Sequence, residues 1–128
     1  MHRRQPVGFW QSVTGSLDWD ETPTETAYRE LYEETGLDST VGIIDCRTVN
    51  RFPILPTWQP RYGEARENTE YVFRAELPRR IAIRLNEHEH SEYCWLPRQA
   101  AAARVSSYTN RDAILAWVPE PDYDKRGC

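Results

Sequence analysis

Aromatic and β-branched residues gather in four short stretches of this chain, and polar, proline-rich or glycine-containing segments separate them. Residues 9–14 (FWQSVT) run into Gly15, so a short strand ending at a turn is expected there. Residues 40–52 (TVGIIDCRTVNRF) and 70–77 (EYVFRAEL) predict two longer strands, with Pro53, Pro56, Pro60 and Gly63 marking a long loop between them. Residues 92–96 (EYCWL) predict a shorter strand, closed by Pro97. Between the first two stretches, Thr22-Pro23-Thr24-Glu25 has the spacing of a capping box with proline at the first helical position. The helix it opens runs to Thr35 and stops at Gly36, a residue suited to the left-handed C′ position. Residues 99–104 and 112–118 predict two further helices, the second introduced by Thr109-Asn110. The tail, 119–128, reads as disordered, leaving 1–118 as one domain. Trp10, Tyr93, Trp95 and Trp117 are expected to pack in the core.

Composition narrows the setting. A chain of 128 residues with 39% hydrophobic and 28% charged residues suits a single small globular domain, and no apolar run approaches the roughly 20 residues needed to span a bilayer. The first residues lack a signal-peptide apolar stretch. Cys46, Cys94 and Cys128 are odd in number and without CxxC spacing, which argues against a disulfide framework or zinc knuckle; a cytoplasmic protein is expected. A net charge of −4 provides no basic face for nucleic acid, so a polyanionic ligand would need a cation as intermediary.

The chemistry concentrates on the first helix. Glu30 and Glu34 stand at i and i+4, with Glu33 at i+3, so three carboxylates crowd one side and repel. Glu33 and Glu34 also occupy the last turn, where the helix dipole disfavours anions by roughly 0.3–1 kcal/mol each. The ordinary alternative is a solvated charged face, with Arg29 pairing to Glu25 and Glu33 at i±4. Carboxylates without accompanying Cys or His select hard ions, Mg2+ or Mn2+, which also bind phosphate oxygens.

Gly15, Glu21, Arg29, Glu30, Leu31, Glu33, Glu34, Gly36 and Leu37 complete the pattern G-x5-E-x7-R-E-U-x-E-E-x-G-U, with U a bulky aliphatic residue. All nine specified positions match, and the chain resembles the Nudix hydrolases. That resemblance implies an α/β fold, a mixed sheet sandwiched between helices, and metal-dependent hydrolysis of a diphosphate bond. It makes Glu30 and Glu34 metal ligands, Glu33 a further ligand or the base, Arg29 the residue that orients them, and Glu21 a supporting residue.

Segments outside the box resemble the branch of that family acting on dihydroneopterin triphosphate: residues 9–16, 44–46, 68–70, Glu89-His90, Tyr93, Trp95-Leu96 and 107–111. The resemblance implies release of pyrophosphate from that substrate, Glu89 as a metal ligand from a loop facing the helix, and Arg3, Thr14, Phe52 and Ser107 as substrate contacts. Core packing is the rival role for Phe52. His88 and His90 share one side of an extended segment, but surface or hydrogen-bonded histidines are expected there rather than a zinc pair. Relatives normally carry about two strands before the segment that opens this sequence, so an N-terminally truncated fold with exposed apolar surface is expected. The box leaves the ring of the substrate open. A pyrophosphatase for deoxynucleoside triphosphates, or a truncated relative that binds without hydrolysis, remains a competing reading. Oligomeric state is not encoded in any of these features; the expected partner is a small-molecule triphosphate, not nucleic acid or membrane.

Overall fold

The computed structural model describes residues 1–53 and 67–119. In chain order its elements are β1 (His2–Arg3), α1 (Pro23–Thr35), β2 (Ile43–Pro53), β3 (Glu67–Ala75), β4 (His90–Glu92), α2 (Arg98–Arg104) and α3 (Tyr108–Trp117). The strands pair antiparallel as β1 with β4 and β2 with β3, and no parallel pair occurs among the described residues. Of the expected loop markers Pro53 closes β2, while Pro56, Pro60 and Gly63, and all of the expected tail beyond Pro119, lie outside the described residues.

Helix α1 forms as its local sequence dictates. Thr22 Oγ1 accepts from Glu25 N at 3.2 Å, and Glu25 Oε1 accepts from Thr22 N at 3.0 Å, so two orphan donors of the first turn are satisfied reciprocally. At the other end Gly36 adopts φ 77°, where a side chain would be strained, and its N–H closes on Tyr32 O at 2.8 Å. In the β2–β3 hairpin the register shifts between Asp45 and Thr48. Arg47 takes φ 53° and donates its N–H to Asp45 Oδ1 at 2.7 Å. Within this bulge Cys46 is buried while its neighbours Asp45 and Arg47 stay exposed.

Two expected strands are corrected. Residues 9–14 form only an isolated bridge between Trp10 and His2, because the backbone donors a strand partner would take are claimed elsewhere. Trp10 N bonds Ser106 Oγ (3.0 Å), Ser12 N bonds Asn110 Oδ1 (2.8 Å) and Thr14 N bonds Glu34 Oε2 (3.0 Å). The strand expected over 92–96 instead ends at Glu92, since β1 offers partners only as far as His2. Beyond it the segment is tied by side chains: Tyr93 Oη accepts from Ile83 N, and Trp95 Nε1 donates to Ile81 O. The last helix also starts earlier than expected, at Tyr108, with Ser107 as N-cap.

The interior is polar. Among the described residues the buried apolar side chains are Cys46 and Ala102, against buried Gln11, Thr26, Glu34, Thr35, His90, Thr109 and Asn110. Trp10, Tyr93, Trp95 and Trp117 pack against neighbours but are only partly buried. Cys46 is a free thiol, whereas Cys94 is disulfide-bonded, against the expectation from the cysteine count. No helix among the described residues is long and apolar enough to cross a membrane.

Candidate metal and active site

Arg29, in the middle of α1, gathers the carboxylates on one side of the helix. Its Nε and Nη2 hold Glu21 in a fork, at 2.7 Å to Oε2 and 2.8 Å to Oε1, while Nη1 reaches Glu30 Oε1 at 2.7 Å and Glu33 Oε2 at 3.2 Å. Nη2 also donates to Ser16 O at 2.9 Å, which pins the loop entering the helix. The Arg29 fork holds the Glu21 carboxyl down to about 2, and the same contacts raise the guanidinium above its ordinary range. The expected pairing of Arg29 to Glu33 is present; Glu25 is instead occupied by the capping box.

The opposite electrostatics prevail one step around the helix. Glu34 is 2% exposed, with Oε2 accepting from Thr14 N at 3.0 Å and Oε1 3.7 Å from His90 Nε2. Burial, then the nearby carboxylates of Glu30 and Glu89, pushes its carboxyl up to about 8. Burial likewise lowers His90, so the pair rests as two neutral groups near pH 7 rather than as an ion pair. Glu30 is raised as well, mainly by burial and against the pull of Arg29.

Glu34, Glu89 and His90 each offer a ligand atom, and these atoms all lie within 4.8 Å of one another. Glu89 is exposed and comes from the turn preceding β4, whose pairing with β1 carries it over the helix. Glu30 stands close enough to raise Glu34, but Glu33 is half-exposed and turned toward Arg29, outside that cluster. Gly15 fixes Glu30: a Cβ there would fall 2.0 Å from Glu30 Cδ and 2.4 Å from its Oε1. The donor set fits a hard divalent cation, because oxygens predominate and burial beside two other carboxylates makes the charge of Glu34 costly without one.

The remaining expected residues are dispersed by function. Arg3 donates Nε to Gln5 O at 2.7 Å and lies near enough to Glu34 to favour its ionised form. Thr14 meets the site through its backbone N–H. Ser107 Oγ caps α3, accepting from Asn110 N, and is bonded to Thr109 Oγ1 at 2.8 Å. Phe52 is partly buried in β2, opposite Asn68. Two residues escaped sequence reasoning: His90, a hydrogen-bonded histidine as expected but one set against Glu34, and Gln11, whose Nε2 lies 3.2 Å from His90 Nε2. His88, by contrast, is exposed.

The NUDIX domain family model matches residues 1–118, and the chain belongs to that family. Among individual proteins it is similar to the dihydroneopterin triphosphate diphosphatase of Haemophilus influenzae, at 34% identity over 122 residues covering 92% of this chain and 76% of that protein. The protein of the same name from Escherichia coli K12 is 38% identical over 122 residues, covering 92% of this chain and 80% of its own length. The solved E. coli dihydroneopterin triphosphate pyrophosphohydrolase superposes with a TM-score of 0.85 at 39% identity, covering 91% of this chain and 82% of that one. The expected α/β Nudix fold and a hydrolase of diphosphate bonds are both borne out.

Proposed function

We propose that this chain hydrolyses dihydroneopterin triphosphate to the monophosphate and pyrophosphate, with residues 1–118 as a single catalytic domain working in the cytoplasm. The observation that carries the reading is the buried Glu34 carboxylate, set among Glu30, Glu89 and His90, in a chain similar over nine-tenths of its length to diphosphatases of that substrate.

In this reading Glu30, Glu34 and Glu89 hold Mg2+, with Mn2+ as the substitute. A divalent cation at that position withdraws charge from phosphoryl oxygens and lowers the pKa of a bound water. Glu33, the most exposed of the three helix carboxylates, remains the candidate to accept the water's proton at a carboxylate oxygen. Arg29 keeps Glu30 and Glu33 in one orientation by donating to both from Nη1. Thr14 N–H fixes one oxygen of Glu34, leaving the other facing His90. Arg3 supplies positive charge near the site for a substrate phosphate. Thr14, Phe52 and Ser107 complete the proposed substrate contacts: two hydroxyls for polar ring edges and an aromatic face for the pterin.

Pyrophosphate release from dihydroneopterin triphosphate, compared with purine triphosphates at equal concentration, with Mg2+ and with chelator, tests the reading. Preferential, chelator-sensitive release from the pterin substrate is expected. Equal or better turnover of the purine triphosphates would replace the pterin assignment with a nucleotide one.

A further inference from the structure

We propose that His90 is itself a ligand of the divalent cation, adding one imidazole nitrogen to the carboxylate oxygens of Glu34 and Glu89. This rests on the reading of that cluster as a metal site. Three observations converge on it. The donor atoms of Glu34, Glu89 and His90 all fall within 4.8 Å of one another, a spacing that one ion can bridge. The imidazole is 2% exposed, yet its polar contacts are sparse for so deep a position: Gln11 Nε2 at 3.2 Å and Glu34 Oε1 at 3.7 Å, both to Nε2. Its Nδ1 is buried with no hydrogen-bond partner, and such an orphan calls for a reason in a native interior.

The other two histidines have no such opening toward the cluster. His2 has both ring nitrogens engaged, Nδ1 with Ser91 Oγ at 2.7 Å and Nε2 accepting from Gly8 N at 2.9 Å. His88 is exposed and outside the cluster. Gln11 Nε2 sits against the same ring nitrogen that faces Glu34, so Nδ1 is the nitrogen left without a partner.

The consequence is chemical selectivity. An all-oxygen site suits Mg2+, whereas an imidazole in the ligand set favours a transition ion, so this centre should bind Mn2+ more tightly than an all-oxygen site would. The metal-free chain is loaded with one equivalent of Mn2+, and electron spin echo modulation is recorded without substrate. Modulation from a directly bound imidazole nitrogen is expected in the wild type and in His88→Asn. It should vanish in His90→Asn, with Mn2+ affinity lowered on the order of tenfold. If His90→Asn does not fold, survival of the signal in both His2→Asn and His88→Asn assigns it to His90. Bound Mn2+ without nitrogen modulation in the wild type overturns the inference while leaving the carboxylate site standing. A folded chain that takes up no Mn2+ or Mg2+ overturns the metal reading as well.

Discussion

Two faces of one helix treat glutamate in opposite ways. On the first, Arg29 forks Glu21 and touches Glu30 and Glu33, and Glu21 is held down to about 2. On the second, Glu34 is buried beside Glu30 and Glu89 with a neutral His90 for company, and its carboxyl rises to about 8. The contrast separates structural from receptive charge. A carboxylate already answered by a guanidinium has little left to offer a metal, whereas one buried among other carboxylates is stabilised by an arriving cation.

Removing the receptive charge should have the largest effect. Glu34→Gln is expected to cut turnover at least roughly a thousandfold, equivalent to several kcal/mol of lost transition-state stabilisation, while the folded metal-free protein becomes more stable above neutral pH. Steady-state kinetics beside thermal melts will show both changes; near-normal turnover would erase the distinction between the two faces.

Next in size is Arg29→Ala, which leaves Glu21, Glu30 and Glu33 without their shared cation. Activity should drop by roughly 10- to 100-fold through misplacement of the ligands, as for other supporting residues around metals. Arg29→Lys should restore only part of it, because an ammonium cannot reproduce the fork on Glu21. Full rescue by lysine would mean that net charge alone matters there.

The comparison also predicts a pH dependence of stability. Glu34 is neutral in the folded chain up to about pH 8 but ionises near 4.5 when unfolded, so its contribution is complete below pH 4.5 and is lost as the pH rises through 8. The metal-free protein should melt roughly 3 °C or more lower at pH 8.5 than at pH 6, and Glu34→Gln should flatten that slope. An unchanged slope in the variant would assign the dependence to other groups. The smallest effect concerns the frame beneath both faces: Thr22→Ala removes the N-cap and should destabilise by about 1 kcal/mol without altering the metal-bound turnover.

Local signals made α1 legible in the sequence, since a capping box, an N1 proline and a C′ glycine act within a few residues of one another. The box likewise placed Arg29 among its glutamates. Treating Glu30, Glu33 and Glu34 as one crowded side was too coarse: at about 100° per residue, Glu33 and Glu34 fall on opposite flanks of Glu30, and Arg29 draws Glu33 away. The contacts of Gln11 with His90 and of Ser12 with Asn110 span 79 and 98 residues, so no periodicity records them. The same long-range bonds explain why residues 9–14 look like a strand but serve as a spine to which helix and loop side chains attach.

Glu34 is the carboxylate that an arriving cation must deprotonate. Calorimetric titration of the metal-free chain with Mg2+ at pH 7, repeated in buffers of different ionisation enthalpy, measures this directly. Release of about one proton per bound cation is predicted, because a carboxyl near pKa 8 is mostly protonated at that pH, and Glu34→Gln should abolish the release and weaken binding. Tight, buffer-independent Mg2+ binding that survives Glu34→Gln would remove Glu34 from the metal site.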